Sequence, residues 1–237
     1  MFCQGCPWDC AYCHNGHLRT ADCAGDAAES TGAKRGAVGD VTGDTVALSW
    51  SSVLAFLGSR VGLLDGLVFS GGEPTLQRDL SAAMQQVRAL GFRIGLHTAG
   101  PYPDRLADLL PLVDWVGFDV KAPFDDYAQV TGVPHSGDRA RASLRHVLDS
   151  GVAYEVRTTV HPALLDAPAL HRLADSIAEM GVEHYALQAF QSTGCRNDTL
   201  CTASPAAAPR LPDRVTARFA SVVVREGVAS HAHGPAR

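Results

Sequence analysis

Short apolar runs alternate with stretches of helical spacing over most of the chain after residue 48. The apolar runs predict strands that begin near residues 66, 93, 115, 153 and 184. Helical spacing predicts helices over 76–91, 104–113, 138–151 and 167–181. Because the strands are apolar in both side-chain directions, they are typical of a parallel sheet buried between helices. The alternation therefore predicts an α/β fold.

The segments on either side of this alternation are less regular. Residues 16–48 are small, polar and glycine-rich without a sustained period, which predicts a long loop or insertion. Ser49 follows as a candidate cap for a first helix. After the last predicted strand, prolines break residues 204–212, and a final helix is predicted over 213–227 before a frayed tail. We therefore predict one α/β domain over 1–203, followed by a linker, a helix and a tail over 204–237.

Composition narrows the class of protein. The 237 residues are 46% hydrophobic and 19% charged, which is ordinary for a globular chain able to form one barrel-sized domain. The net charge of −5 gives no basic footprint for nucleic acid or an anionic membrane. The first twenty residues lack the apolar region of a signal peptide, and no apolar run would span a bilayer. A cytoplasmic protein is predicted.

The cysteines are concentrated at the start of the chain. Four of the seven lie within the first thirteen residues, and Cys6, Cys10 and Cys13 have the spacing C-x₃-C-x₂-C. Three thiolates can hold three irons of a cubane cluster and leave the fourth iron without a protein ligand. A zinc site completed by Cys3 or His14 is the alternative that the spacing leaves open. An odd count at such short spacings is poor evidence for a disulfide framework.

Glycine and polar residues follow three consecutive predicted strands. They are Gly71-Gly72-Glu73, His97-Thr98 and Asp119-Val120-Lys121. The carboxyl ends of parallel strands meet at one edge of a sheet, where ligands bind. The glycines either allow a ligand to approach the backbone or simply form a turn. Asp119 and Lys121 share one face of their strand, either at a ligand or as an ion pair. Arg157, a charged residue within the apolar strand predicted from residue 153, is expected to pair with a carboxylate.

Three stretches carry a resemblance to a known family. "CPWDCAYCHN" (6–15), with Tyr12 directly before the third cysteine, resembles the cluster loop of radical S-adenosylmethionine (radical SAM) enzymes. "FSGGEP" (69–74) is similar to the segment that holds the methionine amino group of the cofactor in that superfamily. Residues 95–123 resemble activating enzymes of glycyl-radical proteins, and among these the activating proteins of anaerobic ribonucleoside-triphosphate reductase.

The resemblance implies a partial (β/α)6 barrel and a set of site residues. It implies a [4Fe-4S] cluster on Cys6, Cys10 and Cys13. It also implies S-adenosyl-L-methionine contacts from Tyr12, Gly71, Gly72, Glu73, Pro74, Asp119 and Lys121. The implied reaction is reductive cleavage of the cofactor to a 5′-deoxyadenosyl radical, which generates a glycyl radical on anaerobic ribonucleotide reductase. Flavodoxin or ferredoxin would supply the electron, and the cofactors carry the chemistry.

The sequence differs from the family pattern at two places. In the superfamily fold a first strand runs into the cluster loop, whereas only Met1 and Phe2 precede Cys3 here. We therefore expect the first strand to be truncated or missing, and we expect an upstream segment to encode the remainder. His97 stands where formate-lyase-activating relatives carry an acidic residue, so an alkali-cation site is not expected there.

Two alternative functions are also compatible with the sequence, and the three cysteines that follow residue 13 are expected to have no special role. The first alternative function is a radical SAM enzyme acting on a small molecule, similar to 7-carboxy-7-deazaguanine synthase. The second is a non-catalytic, zinc-stabilised interaction module. Cys23, Cys195 and Cys201 are expected to be ordinary thiols, because an auxiliary cluster would need more ligands at better spacing.

Overall fold

The computed structural model describes residues 1–19, 35–39, 45–202 and 210–226. Within these residues the strands are β1 (Phe2–Cys3), β2 (Arg35–Gly39), β3 (Thr45–Ser49), β4 (Gly66–Gly71), β5 (Arg93–Thr98), β6 (Trp115–Asp119), β7 (Ala153–Val160), β8 (His184–Ala189) and β9 (Ser221–Arg225). The α-helices of the same residues are α1 (Trp50–Gly58), α2 (Leu80–Ala89), α3 (Pro103–Leu109), α4 (Tyr127–Thr131), α5 (Ser136–Ser150), α6 (Ala167–Glu179), α7 (Asp198–Thr202) and α8 (Asp213–Thr216). None of the helices described is long and apolar enough to cross a bilayer.

The strands form one open sheet in the order β3-β2-β1-β4-β5-β6-β7-β8-β9. β1 and β4 to β9 are mutually parallel, and β2 and β3 add an antiparallel hairpin beyond β1. The α/β fold predicted from the alternation is confirmed, and the five predicted strands begin at or next to the expected residues.

The first strand, which was expected to be truncated or missing, is present as the two residues Phe2–Cys3. Phe2 pairs with Ser70 and Cys3 with Gly71 in parallel register. The amino group of Met1 donates to the Val68 carbonyl at 2.8 Å, and its own carbonyl accepts from the Ser70 N–H at 2.9 Å. These backbone contacts hold the start of the chain against β4.

The prediction of an irregular loop over 16–48 is wrong in part. β2 and β3 pair along five residues each, and β2 also pairs with β1 at Phe2 and Ala37. Backbone pairing on the edge of β1 stabilises strands that the glycine-rich sequence does not favour locally. Residues 20–34, which include Cys23, and residues 40–44 lie outside the described residues.

The final helix predicted over 213–227 is also wrong beyond its first turn. α8 ends at Thr216, and residues 221–225 form β9, which pairs in parallel with β8. Three consecutive valines favour a strand, and the open edge of β8 supplies the hydrogen-bonding partner. The start of the predicted linker (204–209) and the predicted tail lie outside the described residues.

Alternation along the strands separates an apolar face from a polar one. Phe69, Leu96 and Phe118, from β4, β5 and β6, are fully buried. The residues that follow each of them point to the opposite face, because successive side chains alternate in a strand. Ser70, His97 and Asp119 therefore share this opposite face, called here the inner face, near the carboxyl edge of the sheet.

At the start of α1, the Ser49 hydroxyl accepts a hydrogen bond from the Ser52 N–H, as the predicted cap requires.

Candidate functional site

The cysteine loop, residues 4–19, leaves β1 and packs against the turn that follows β4. The Gly72 N–H donates to the Cys3 carbonyl, and the Glu73 N–H donates to the Gly5 carbonyl, both at 2.8 Å. These bonds bring two separate motifs of the sequence together. The "GGEP" turn therefore lies directly against the first residues of the cysteine loop.

The other side of the cysteine loop is fixed to α4. The Asp9 N–H donates to the Thr131 carbonyl at 2.8 Å, and the Ala11 N–H donates to the Val130 carbonyl at 3.1 Å. Backbone hydrogen bonds on two sides restrict the loop, so its cysteines are presented from a supported segment. Cys10, between the two donors, is buried.

The three motif thiols form one electrostatic group. Burial raises the pKa of Cys6 to about 12, opposed by a hydrogen bond from the Trp8 backbone, and Cys10 and Lys121 also act on this thiol. Burial likewise raises the pKa of Cys10, on which Lys121 and Cys13 act as neighbours. A metal cluster binds thiolates, so loading this loop must displace the protons that the buried thiols retain.

Two buried nitrogens of the cysteine loop lack hydrogen-bonding partners. In the part of the chain that the structure describes, Trp8 Nε1 and His14 Nε2 are buried side-chain nitrogens without a hydrogen bond. An unpaired buried polar group is destabilising, and a bound group is one way of satisfying it. Three soft thiol donors on one loop fit an iron–sulfur cluster, and the two unsatisfied nitrogens of the same loop are consistent with a bound group. Among the described residues, no three His, Cys, Asp or Glu side chains are grouped as ligands of a single metal ion.

Gly71 and Gly72 are required by the packing of the cysteine loop itself. Gly71 has a φ of +106°, and a Cβ there would lie 2.5 Å from the Cys3 nitrogen. A Cβ on Gly72 would overlap the Gly5 carbonyl oxygen. The sequence suggested that a ligand approaches these two glycines closely. In the structure, the backbone of the cysteine loop occupies that position.

Glu73 is buried and accepts four hydrogen bonds. Its Oε1 accepts from the Thr75 N–H at 3.0 Å, the Thr75 hydroxyl at 2.6 Å and the Thr98 hydroxyl at 2.8 Å. Its Oε2 accepts from the Ala99 N–H at 3.1 Å. Burial raises the pKa of Glu73, and these hydrogen bonds oppose the rise. The carboxylate therefore joins the end of β4 to the end of β5, and Pro74 begins the short 3₁₀ turn between them.

The Glu73→Gln variant is expected to lower the free energy of unfolding by about 1–3 kcal/mol, because an amide NH₂ would face a donor in place of an acceptor. Chemical denaturation of both proteins measures this difference. Thr98→Ser keeps the hydroxyl that contacts Glu73 and serves as the matched control. Equal stability of wild type and Glu73→Gln would show that the carboxylate does not hold this turn.

A hydrogen-bonded chain crosses the inner face from β7 to β4. Arg157 Nε donates to Asp119 Oδ1 at 2.9 Å, which confirms the predicted carboxylate partner. Arg157 Nη1 lies 3.1 Å from His97 Nε2, and His97 Nδ1 lies 3.1 Å from the Ser70 hydroxyl. A guanidinium only donates, so His97 Nε2 accepts and Nδ1 carries the proton that is donated to Ser70.

Lys121 joins this chain to the cysteine loop. Its Nζ lies 4.0 Å from Asp119 Oδ2 and 5.5 Å from the centroid of the Tyr12 ring. Partial burial opposes ionisation of Asp119, but Arg157 and Lys121 outweigh it and lower the pKa of this carboxyl. The residues predicted from three strand ends and from the cysteine loop therefore lie in one site.

His97 is neutral in this arrangement. Burial and the Arg157 guanidinium lower the pKa of His97 to about 4, from an ordinary value of 6.5. His97 therefore becomes protonated at a higher pH in the unfolded chain than in the folded protein. The contribution of His97 to stability is therefore complete above pH 6.5 and is lost as the pH falls towards 4.

We expect the His97→Gln variant to show a weaker loss of stability between pH 6.5 and pH 4 than the wild type, because glutamine takes up no proton. Denaturation measured at several pH values in this interval gives the two slopes. Parallel slopes for the two proteins would contradict the neutral, Arg157-bonded histidine.

Ser70 is the member of the site that sequence reasoning missed. A serine at the end of an apolar strand gives no chemical signal of its own. Its position next to His97 follows from the register, in which Phe69 pairs with Leu96. Knowledge of the strand pairing, combined with alternation, would have identified it.

Comparisons of sequence and fold identify similar proteins. The family model described as "Radical SAM superfamily" matches residues 1–187. The chain is 28% identical over 199 residues to protein MJ1227 of Methanocaldococcus jannaschii, over 81% of this chain and 72% of that protein. The name of that protein assigns it provisionally as a glycyl-radical enzyme activating enzyme.

Two further similarities cover less of the other protein. The 7-carboxy-7-deazaguanine synthase of Thermococcus kodakarensis is 38% identical over 80 residues, which are 33% of this chain and 30% of that enzyme. The crystal structure of Streptococcus suis SuiB bound to S-adenosylmethionine has a TM-score of 0.59 at 12% identity. That match covers 96% of this chain and 46% of SuiB, and at this identity it shows the fold alone.

Proposed function

The chain belongs to the radical SAM superfamily, and from this premise we propose that it is an activating enzyme that generates a glycyl radical on a partner protein. The partner that we propose is anaerobic ribonucleoside-triphosphate reductase, with flavodoxin or ferredoxin as the electron donor in the cytoplasm. The resemblance of residues 95–123 and the similarity to MJ1227 support the activating role.

One observation carries the proposal. The three-cysteine loop and the "GGEP" turn are distant in sequence, yet two backbone hydrogen bonds of 2.8 Å join them. Glu73 and Lys121 both lie close enough to act on the pKa of the Cys6 thiol. The three cysteines and the polar side chains of the strand ends therefore meet at the carboxyl edge of one parallel sheet, where α/β proteins bind their ligands, and this supports a cluster and its cofactor at that edge.

We assign the residues of this site as follows. Cys6, Cys10 and Cys13 would hold a [4Fe-4S] cluster, whose bound form supplies the electron that cleaves S-adenosyl-L-methionine and so produces the radical that takes hydrogen from a glycine. The backbone of Gly71, Gly72, Glu73 and Pro74 would border the methionine end of the cofactor. Tyr12, Asp119 and Lys121 would position its remaining polar groups.

The protein's own contribution is orientation and charge balance. The ammonium group of Lys121 lies over the Tyr12 ring and beside the carboxylate of Asp119. Arg157 fixes one oxygen of Asp119 and leaves the other towards Lys121. A carboxylate held in this way keeps a defined direction for hydrogen bonding to a ligand.

The direct experiment is anaerobic reconstitution with iron and sulfide. Cofactor, reductant and anaerobic ribonucleotide reductase are then added, and the paramagnetic resonance of a glycyl radical is recorded. The signal is expected with the wild-type partner and should be absent when the radical-bearing glycine of the partner is replaced by alanine. Cofactor cleavage without a glycyl radical on any tested glycyl-radical enzyme would reject the activating role.

The partial identity to 7-carboxy-7-deazaguanine synthase favours a second candidate, a radical SAM enzyme with a small-molecule substrate. This candidate predicts cofactor cleavage that the substrate of that synthase stimulates in the absence of any partner protein. The measurement that separates the two is the amount of 5′-deoxyadenosine formed with the small molecule and with the partner protein. Metal analysis also tests the zinc-stabilised module, which would contain zinc in place of iron and sulfide.

A further inference from the structure

A second pair of cysteines lies beside the cysteine loop, on the segment that follows β8. This segment, residues 190–202, is called here the cover segment. Within it, Cys201 Sγ lies 3.7 Å from the Cys195 carbonyl oxygen and 3.9 Å from the Ser192 carbonyl oxygen. Hydrogen bonding with the Cys195 thiol contributes, after burial, to a raised pKa of Cys201. The Cys201 sulfur therefore lies against the backbone of the turn that carries Cys195.

The cover segment packs against the cysteine loop at three points. The Cys195 thiol points at the Ala11 carbonyl at 3.9 Å, between Cys10 and Cys13 in sequence. Gly194 approaches the His14 carbonyl so closely that a Cβ would overlap it. The ring of Phe190 lies 5.4 Å from the ring of His14. A change in the Cys195 thiol therefore alters a contact with the segment that carries the proposed cluster ligands.

We propose that Cys195 and Cys201 are a redox-active dithiol, which closes to a disulfide by exchange with an oxidised low-molecular-weight disulfide such as glutathione disulfide. One thiolate attacks the small disulfide and releases one molecule of thiol, and the second cysteine displaces the other. A sulfur–sulfur bond forms between Cys195 and Cys201, the small disulfide is reduced to two thiols, and electrons and protons balance.

Both thiols are positioned for this exchange. Each cysteine is partly exposed, unlike the buried Cys3 and Cys10. Cys195 and Cys201 lie six positions apart in sequence, and the Cys201 sulfur lies 3.7 Å from the Cys195 carbonyl oxygen, so the side chain of Cys201 is directed at the backbone of Cys195. Partial access to solvent is one of the conditions that distinguish exchangeable thiols from buried, inert ones.

Closure of the disulfide changes the contact with the cysteine loop. The Cys195 sulfur then carries no proton, so its hydrogen bond to the Ala11 carbonyl is lost. We expect the oxidised form to release its iron to a chelator about two- to fivefold faster, because one weak contact of the loop is removed. This second effect rests on the proposed function, whereas disulfide formation does not.

The test uses the reconstituted, cluster-containing protein under anaerobic conditions in glutathione redox buffers. Mass spectrometry of alkylated peptides should show loss of two hydrogens between Cys195 and Cys201 as the buffer becomes more oxidising. The absorption of the cluster monitors the cysteine loop at the same time. Stable glutathione adducts on the separate cysteines, with no internal disulfide, would overturn the proposal.

Serine variants make the result specific. Cys201→Ser should convert the internal disulfide into a single glutathione adduct on Cys195, and Cys195→Ser should give the reverse. The double variant should make the rate of iron release independent of the redox buffer. The same mass analysis on protein without cluster must still show the disulfide. A failure there overturns the dithiol, and a failure only of the iron-release effect overturns its coupling to the cluster.

Discussion

The Cys10→Ala variant is expected to lose the iron–sulfur cluster and, with it, cofactor cleavage by more than about a hundredfold, since a direct ligand matters at least as much as the groups that support one. Cys10 is the central and most buried of the three motif cysteines. No other thiol of the cysteine loop is available at its position. Iron and sulfide analysis after reconstitution, followed by measurement of 5′-deoxyadenosine, checks the result.

The matched control is Cys201→Ser kept under reducing conditions. This variant removes a thiol outside the three-cysteine motif and should retain iron and cofactor cleavage at the wild-type level. Circular dichroism confirms that both variants are folded. A Cys10→Ala protein that binds the full complement of iron would show that Cys10 is not a cluster ligand.

The Gly72→Ala variant is expected to lower the free energy of unfolding by about 2–3 kcal/mol, because its methyl group overlaps backbone that cannot rotate away. The atom that it meets is the carbonyl oxygen of Gly5 in the cysteine loop. The hydrogen bond from the Glu73 N–H to the same oxygen should weaken as well. Thermal and chemical denaturation measure the loss, and reconstitution should show reduced iron content.

Gly58→Ala is the control for this substitution. A Cβ on Gly58 meets no atom within 4 Å, and the residue ends α1, where alanine is the better helix former. This variant should be at least as stable as the wild type. A Gly72→Ala protein as stable as the control would contradict the packing described for the "GGEP" turn.

The central part of the sheet was predictable because local and tertiary preferences agree there. Apolar strands and glycine-terminated helices recur from β4 to β8, so periodicity alone placed the residues of their carboxyl ends at one edge. A carboxylate partner for Arg157 was also predictable, because a lone charge within a buried strand needs an opposite one, but only the structure shows that this partner is Asp119. The site residues of this part of the sheet could be predicted from their position at the ends of strands as well as from their residue type.

The edges of the sheet were not predictable in the same way. β9 was predicted as helix, because a short run of valines fits either element until a neighbouring edge is known. The hairpin of β2 and β3 depends on pairing with β1, which only the folded chain provides. Contacts between distant segments, such as Cys195 with Ala11, leave no periodic signal.

The role of Gly72 could be predicted only in general terms. Its sequence context indicates close approach by something, but the tertiary structure is needed to show that this is the Gly5 carbonyl. The sequence likewise predicts that Glu73 contacts a ligand, whereas its carboxylate already accepts hydrogen bonds from Thr75, Thr98 and Ala99. We therefore propose that the turn contacts the cofactor mainly through its backbone.

We propose that Cys6, Cys10 and Cys13 would hold a cubane cluster with one iron left free to bind S-adenosyl-L-methionine. Electron–nuclear double resonance on the reduced, reconstituted protein tests it with cofactor labelled at the methionine amino nitrogen. We expect a coupling between the cluster spin and this nitrogen, whose pattern changes from that of nitrogen-15 to that of nitrogen-14 when unlabelled cofactor is used. A cluster with no coupling, whose spectrum changes only when Cys3 or His14 is substituted, would show a fourth protein ligand and contradict the claim.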